Sequence, residues 1–331
     1  MSLNVRHSAS PLPSGTAACL GAFDGLHLGH RALLERARLR GSQVAVVTFD
    51  PHPQRVLAPD RPLHLLLQPG QRERVLRSLG VEELVLLPFD HAMAAMEPAV
   101  FVRSQIVDGL RPSIVVVGED FRFGAGRRGG VDELAALLAD PGIGLEVVAP
   151  VSIPPALREP GTAQRPEKIS STMIRAALAS GRVERAAAML GRLHTVIGTV
   201  VTGDRRGRTI GIPTANLRVG DALVPAPGVY ATWVTAGGEP ELATPRAAVA
   251  NIGTVPTFTA GTGPPRVEVH VLDVDLGERL YDRELEVSFV ARLRDEQKFA
   301  SIEALVQRIA LDIAQARPLL DASSRARVIP P

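Results

Sequence analysis

Between Ala17 and Ala149, short apolar runs alternate with segments of helical spacing, and this alternation constrains the first half of the chain more than any other feature. The runs Ala17–Leu20, Val44–Thr48, Leu84–Leu87, Ile114–Val117 and Leu145–Ala149 are continuous and mostly β-branched or Leu, the pattern of strands buried on both faces. Between them the spacing predicts helices over His30–Leu39, Gln71–Leu79, Pro98–Leu110 and Val131–Leu138. Pro98 suits a first helical turn, and Gly41, Gly80 and Gly109 sit where helices should stop. Strand–helix alternation implies right-handed crossovers and a parallel sheet. Ligands on such sheets bind beyond the carboxyl ends of the strands. Gly21–His30, Thr48–His52 and Gly118–Gly126 all follow strands and are expected to converge on one crevice.

The texture then changes. Ile153–Pro166 is rich in Pro and Gly and reads as a loop, and Ser170-Ser171-Thr172 reads as a helix start with hydroxyl caps. Helices are expected over Met173–Ala179 and Val183–Leu190. The 331 residues suffice for two domains, with a boundary near Gly191 that gives domains 1–190 and 191–331. Beyond it, Thr195–Val201, Val229–Val234, Ala247–Asn251, Val267–Asp273 and Leu285–Val290 are β-branched runs separated by Gly, Pro and Asp. Strands without intervening helices imply an antiparallel sheet or barrel. One closing helix is expected, with Ile302, Leu305, Val306, Ile309 and Ile313 as its apolar stripe.

Composition narrows the function. The net charge is +2, nearly all positive charge is Arg, and the basic spots Arg127-Arg128 and Arg205-Arg206-Gly207-Arg208 are short. Nucleic-acid binding would want a basic face with aromatics, so none is expected. The single Cys19 lies in an apolar run, which excludes a disulfide framework and a cysteine-based zinc site. Met1–Ser10 has no apolar signal core, and no run approaches the ~20 apolar residues of a membrane span. A soluble, cytoplasmic protein is expected.

Gly21-Ala22-Phe23-Asp24-Gly25-Leu26-His27-Leu28-Gly29-His30 combines a strand end, a glycine-rich turn and a helix start. A helix N-terminus offers unpaired N–H groups and partial positive charge to a phosphate. His27 and His30, three apart, can share one face of the first turn. No Gly-Lys dipeptide occurs, so a Walker-A loop is excluded. Ser171, Thr172 and Arg175 offer hydroxyls and a permanent cation at a second helix start, although the stretch taken alone reads as an ordinary cap with a surface Arg. In the second half, Gly203–Asn216 is a Gly/Arg loop, with Gly203, Gly207, Arg208 and Gly211, able to wrap polyphosphate. Its end, Pro213-Thr214-Ala215-Asn216, supplies hydroxyl and amide oxygens, hard ligands suited to Mg²⁺ shared with phosphates.

Taken in order, these motifs resemble the bacterial bifunctional riboflavin kinase/FAD synthetases. Gly21–His30 is similar to their G-x-F-D-x-x-H-x-G-H signature, which brings Gly21, Phe23, Asp24 and Gly29 to the nucleotide and His27 and His30 to the adenylyl transition state. Ser170–Arg175 resembles an S-S-T-x-I-R segment that grips ATP phosphates, with Met173 where Arg is common. Gly118–Gly124 resembles a G-x-[DN]-F-x-F-G segment, and Thr48–Pro53 another family segment, which implies Asp50, Asp120, Phe121 and Phe123 at the nucleotide and flavin pocket, with Phe49 as a further flanking ring. Pro213–Asn216 resembles the P-T-A-N motif of riboflavin kinases, implying Thr214 and Asn216 as Mg²⁺–ATP ligands. Asn251–Phe258 resembles a second kinase segment, Glu268 matches the general base, and Arg292 stands where a flavin or nucleotide contact is expected. Tyr281-Asp282 replaces a common Tyr-Gly pair.

The resemblance spans roughly residues 15–320 and implies an α/β fold: a Rossmann-like parallel-sheet nucleotidyltransferase domain followed by a small antiparallel β-barrel domain with a C-terminal helix. It implies ATP and Mg²⁺ as co-substrate and cofactor, and riboflavin and FMN as substrates. A nucleotidyltransferase for another acceptor, such as pantetheine phosphate or nicotinamide mononucleotide, would lack the P-T-A-N half. A non-catalytic flavin-binding regulator would have no need of Glu268.

Overall fold

In the computed structural model, residues 2–154, 167–203, 211–254, 265–274, 276–277 and 279–329 are described. The chain divides into two compact units, Met1–Leu63 with Pro69–Ile169, and His64–Gln68 with Ser170–Pro331.

The first unit is built on a six-stranded parallel sheet in the order β1-β4-β3-β2-β5-β6. Its strands are β1 (Asn4–Arg6), β2 (Thr16–Leu20), β3 (Gln43–Asp50), β4 (Glu83–Pro88), β5 (Ile114–Gly118) and β6 (Gly144–Val148). The helices are α1 (Leu28–Arg38), α2 (Pro53–Leu57), α3 (Pro69–Ser78), α4 (His91–Ala94), α5 (Pro98–Phe101) and α6 (Val131–Ala139). Every residue of β2 is buried, as a continuous apolar run at the sheet centre requires. One core gathers Leu20, Val47, Val85, Val117, Phe101, Ile106 and Leu134. Cys19, which alternates to the other face of β2 with its Sγ 3.6 Å from Leu33 O, is fully buried, and burial pushes its thiol up to about 12. β2 lies between β3 and β5, so the order of successive strands reverses there, and the loop leaving β2 opens at the switch point where such sheets bind ligands.

Two local expectations change. The helix expected over Pro98–Leu110 continues from α5 as a π-helix, Val102–Leu110, and ends on Arg111 in the left-handed region at φ +53°. Gly109 therefore lies within the helix. A Cβ there would come within 2.8 Å of the Ala9 Cβ, so this glycine serves a close approach and stops nothing. The short strand β1 has no apolar run to announce it. Arg6 fastens it by pairing with Glu83 of β4 at 2.7 Å.

The second unit is a closed barrel in the order β10-β11-β8-β7-β12-β9. It comprises β7 (His194–Val201), β8 (Ala215–Val219), β9 (Gly228–Thr235), β10 (Arg246–Thr254), β11 (Pro265–Val271) and β12 (Glu284–Arg294). Helices α7 (Ser171–Ala179) and α8 (Val183–Leu190) precede it, while α9 (Ile302–Ala316), the expected C-terminal helix, and the four-residue α10 (Ala322–Arg325) follow. The Leu65 N–H donates to Asp221 O at 2.7 Å and Leu65 O accepts from the Leu223 N–H at 2.9 Å. Gln68 Oε1 accepts from the Ile197 N–H at 2.9 Å, so His64–Gln68 belongs with the barrel. On α9 the expected stripe is incomplete: Ile302 is 61% exposed, while Ile313 packs against Val229, Ala231 and Val249. The helix buries Ala316 and, beside it, the charged Asp312, whose carboxylate accepts from Arg294 Nη2 at 2.8 Å and Arg308 Nε at 3.0 Å.

Candidate active sites

In the first unit the segment after β2 is shaped by its backbone. The Gly21 N–H donates to Val47 O at 3.2 Å, extending the strand pairing by one residue. Thr48 Oγ1 donates to Ala22 O at 2.9 Å. Phe23 (φ +47°), Gly25 (φ +87°) and Leu26 (φ +43°) then take left-handed conformations. For the two residues with side chains, Phe23 and Leu26, this costs on the order of 1–3 kcal/mol each, and full burial of both side chains offsets it.

The turn delivers His27 to the N-cap of α1, where its Nδ1 accepts from the His30 N–H at 3.4 Å. An accepting Nδ1 places the proton of a neutral imidazole on Nε2. The His27 and His30 rings stack at 3.7 Å between centroids, and His30 lies 4.9 Å from the Phe23 ring. Gly29 makes this possible: a Cβ there would stand 3.0 Å from His27 Cε1. The expected histidine pair is thus one stacked unit at a helix N-terminus.

The loops after β3 and β5 leave the same carboxyl edge of the sheet, as expected. Arg72 on α3, which the sequence reading missed, has Asp50, Glu73 and Asp24 as its charged neighbours. Burial pulls its guanidinium below the usual value, and those carboxylates oppose the shift. Its segment, Gln71-Arg72-Glu73-Arg74, reads as a solvated helix face, so no local signal marks it. Asp120 is paired with Lys168, whose hydrogen bond holds the carboxyl below its usual range.

The aromatic side chains differ in exposure. Phe23 is 0% and Phe123 6% exposed; both are core side chains, and Phe123 packs so tightly over Gly129 that a Cβ there would meet its ring at 2.8 Å. Phe121, stacked on Phe123 at 5.7 Å, and Phe49, edge-on to Phe89 at 5.3 Å, are only partly buried. Ser171, Thr172 and Arg175 occupy the first turns of α7 in the second unit, where Ser170 is the N-cap and its Oγ accepts from the Met173 N–H at 3.3 Å.

The second unit builds its site from side chains in register. Asn251 of β10 lies directly opposite Glu268 of β11, and Glu268 directly opposite Asn216 of β8. Residues so paired project on one face. Val267 and Val269 fill the barrel interior, so Glu268 and its partners point outward. There they line a cavity of about 350 Å³, together with Thr214, Arg266, His270, Glu296, Phe299, Leu305 and Ile309. Thr214, Asn216, Asn251 and Glu268, singled out from distant parts of the sequence, therefore meet in one place.

The neighbours of this row explain its geometry. A Cβ at Gly203 would lie 2.3 Å from Asn216 Nδ2, so only glycine leaves room for that amide. His270 Nδ1 hydrogen-bonds Pro213 O at 2.8 Å, tying the Pro213–Asn216 turn to β11. Arg266 donates through Nε and Nη2 to Asn216 Oδ1 at 3.2 and 3.1 Å and pairs with Glu268 Oε1 at 2.7 Å. Period-two alternation around Glu268 places Arg266 and His270 on its face, a signal that could have found them. Gly211 has φ +76°; Gly207, Arg208 and Val255–Phe258 lie outside the described residues.

Arg292 is not among the cavity-lining residues. Its Nη2 donates to Pro227 O at 2.6 Å and its Nη1 pairs with Asp295 at 2.9 Å, so it braces loops next to the barrel. Asp282 adopts φ +60°, supplying the left-handed residue that the more common glycine would supply.

A parallel sheet with a phosphate-suited helix start at its switch point, joined in one chain to a closed barrel bearing a polar carboxylate cavity, defines a two-unit phosphate-transferring enzyme. Comparison with known proteins agrees with both halves. The FAD synthetase family model matches residues 9–156 and the riboflavin kinase model residues 190–320. The bifunctional riboflavin kinase/FMN adenylyltransferase of Escherichia coli (strain K12) is 39% identical over 94% of this chain and 95% of its own. That of Bacillus subtilis (strain 168) is 34% identical over 90% of each. The chain belongs to the bifunctional riboflavin kinase/FMN adenylyltransferase family. A crystal structure described as a macrolide-efflux protein from Streptococcus pneumoniae superposes with a TM-score of 0.80 at 32% identity, over 92% of this chain and 95% of that one. No helix among the described residues is long and apolar enough to cross a membrane.

Proposed function

We propose that the chain converts riboflavin to FMN in residues 191–331 and FMN to FAD in residues 1–190, using ATP in both steps. The observation that carries the kinase half is the row Asn216–Glu268–Asn251 on one cavity wall. Glu268 takes the proton of the flavin's primary hydroxyl as that oxygen attacks the γ-phosphorus of ATP, and ADP leaves. Thr214 and Asn216 would hold the metal, and Gly203, Gly207, Arg208 and Gly211 are assigned to the polyphosphate by motif.

The donor set fits Mg²⁺. Thr214 and Asn216 present neutral hard oxygens beside a carboxylate, and Gly203 leaves room for the amide. Mg²⁺ bound here would keep waters and nucleotide phosphate oxygens in the rest of its shell. When bound, Mg²⁺ neutralises phosphate charge.

In the adenylyl step an FMN phosphate oxygen attacks the α-phosphorus of ATP and pyrophosphate leaves. His27 donates from Nε2 to the phosphate oxygens in transit, and His30 stacks beside it over the N-terminus of α1. Gly21, Asp24, Gly29, Asp50, Asp120, Ser171, Thr172 and Arg175 are assigned to nucleotide and phosphate binding by motif, and Phe121 and Phe49 offer their partly open rings to the flavin. The protein acts as a soluble cytoplasmic enzyme on small molecules. Incubation with riboflavin, ATP and Mg²⁺, followed by chromatographic separation of flavins, tests the reading: FMN and then FAD accumulate. Absence of both refutes it.

A further inference from the structure

Asn216 Oδ1 has two claimants. As a proposed metal ligand it must offer a lone pair to a dication. In the structure it accepts two N–H bonds from Arg266, through Nε at 3.2 Å and Nη2 at 3.1 Å. A carbonyl oxygen has two lone pairs, and this pair of donors engages both. The same guanidinium pairs with Glu268 Oε1 at 2.7 Å, so one cation holds the proposed ligand and the proposed base together.

A dication on Oδ1 would share that oxygen with a guanidinium at hydrogen-bond distance, and like charges this close repel strongly. The two arrangements exclude one another. Arg266 also has an alternative partner. It lies directly opposite Gly253 across the β10–β11 ladder, and a Cβ on Gly253 would stand 2.6 Å from Glu296 Oε1. The Glu296 carboxylate therefore occupies the space a side chain opposite Arg266 would fill, and it lines the same cavity.

We propose that Arg266 is a positioning residue of the kinase site: a latch that holds Asn216 and Glu268 in their row and that a nucleotide-borne divalent cation displaces from Asn216. The inference rests on the kinase reading above. Binding energy of the metal–nucleotide is partly consumed in breaking the latch, so removing the latch tightens binding while loosening the base. The opposite signs of the two effects separate a latch from a merely structural side chain.

The test uses the full chain and a readout local to the site. Hydrogen–deuterium exchange of peptides covering residues 211–219 is followed while Mg²⁺–ADP is titrated into wild type, Arg266→Met and Arg266→Lys. In Arg266→Met the midpoint falls roughly tenfold, the equivalent of one hydrogen bond to a charged group. With ADP and EDTA the two proteins coincide. Arg266→Lys keeps the charge but loses the two-pronged bond, and its midpoint falls between the others. In FMN formation Arg266→Met lowers both KM for ATP and kcat. An unchanged or raised midpoint in Arg266→Met, a shift that persists in EDTA, or a Lys variant indistinguishable from wild type overturns the latch. Melting followed by fluorescence of Trp233, on a strand of the same barrel, reports that each variant is folded. Failure of the wild type to form FMN sinks the kinase reading itself, whereas FMN formation with no tightening in Arg266→Met sinks the latch alone.

Discussion

The two candidate sites handle phosphate by different means. In the first unit the groups aimed at phosphate are set by the backbone: left-handed residues at Phe23, Gly25 and Leu26, a helix N-terminus, and His27 fixed as its cap. In the second unit they are set by side-chain identity at paired strand positions, with Asn216, Glu268 and Asn251 abreast. The first arrangement tolerates exchange of distant side chains but not of conformation. The second tolerates small backbone adjustment but not the loss of a functional group. Even their essential glycines differ: Gly29 makes room for a cap, Gly203 for an amide.

That contrast breaks most clearly at Glu268. Glu268→Ala lowers FMN formation by about 10²–10⁴-fold, while conversion of supplied FMN to FAD continues. Loss of both activities in a folded variant would merge the two sites into one. The converse double variant, His27→Ala/His30→Ala, lowers FAD formation by about 10²–10³-fold and leaves FMN formation. FAD made at the normal rate would remove the histidines from the reaction.

The glycines sharpen the comparison. Gly29→Ala forces His27 aside and lowers FAD formation about ten- to hundredfold; Gly203→Ala displaces Asn216 and lowers FMN formation by a similar factor. Steady-state assays of both reactions on both variants read this cross-pattern, and a uniform effect would deny it. A smaller effect, on stability, belongs to the barrel. Buried His194, stacked on Phe289, hydrogen-bonds Leu223 O at 2.6 Å through Nε2, and burial lowers its pKa from 6.5 to about 4. The unfolded chain binds the proton first, so this residue's contribution to barrel stability is lost as pH falls from 6.5 towards 4 and is fully present above that window. The loss amounts to about 3 kcal/mol. Melting followed by fluorescence of Trp233, the one tryptophan, shows this slope, and His194→Gln flattens it.

The sequence made both sites legible to different degrees, for reasons that follow from the same contrast. The strand–turn–helix of Gly21–His30 is local, so ten consecutive residues announce it. The kinase row is assembled across three strands, and only motif resemblance linked Asn216, Asn251 and Glu268 before the register did. β8 was hidden because Pro213 and Asn216 read as turn and ligand, although Ala215, Leu217 and Val219 alternate. Arg72 and Arg266 went unnoticed because Arg is abundant here and its partners are remote in sequence: Asp24 and Asp50 for one, Asn216 for the other. The burial of Phe23 and Phe123 was not legible either, since an aromatic beside a binding motif can equally be the core that shapes it.

The ladder pairing of β11 has a further consequence. Side chains alternate along a strand, so a slip of one residue would turn Glu268 into the barrel and expel Val267 and Val269. A carboxylate would then replace two buried methyl-bearing chains, which the interior rejects at a cost of several kcal/mol. The hydrophobic packing of the barrel thus acts as a proofreader of the kinase site. A chain that folds at all has already aligned Glu268 with Asn216 and Asn251, and no separate step is needed to assemble the row.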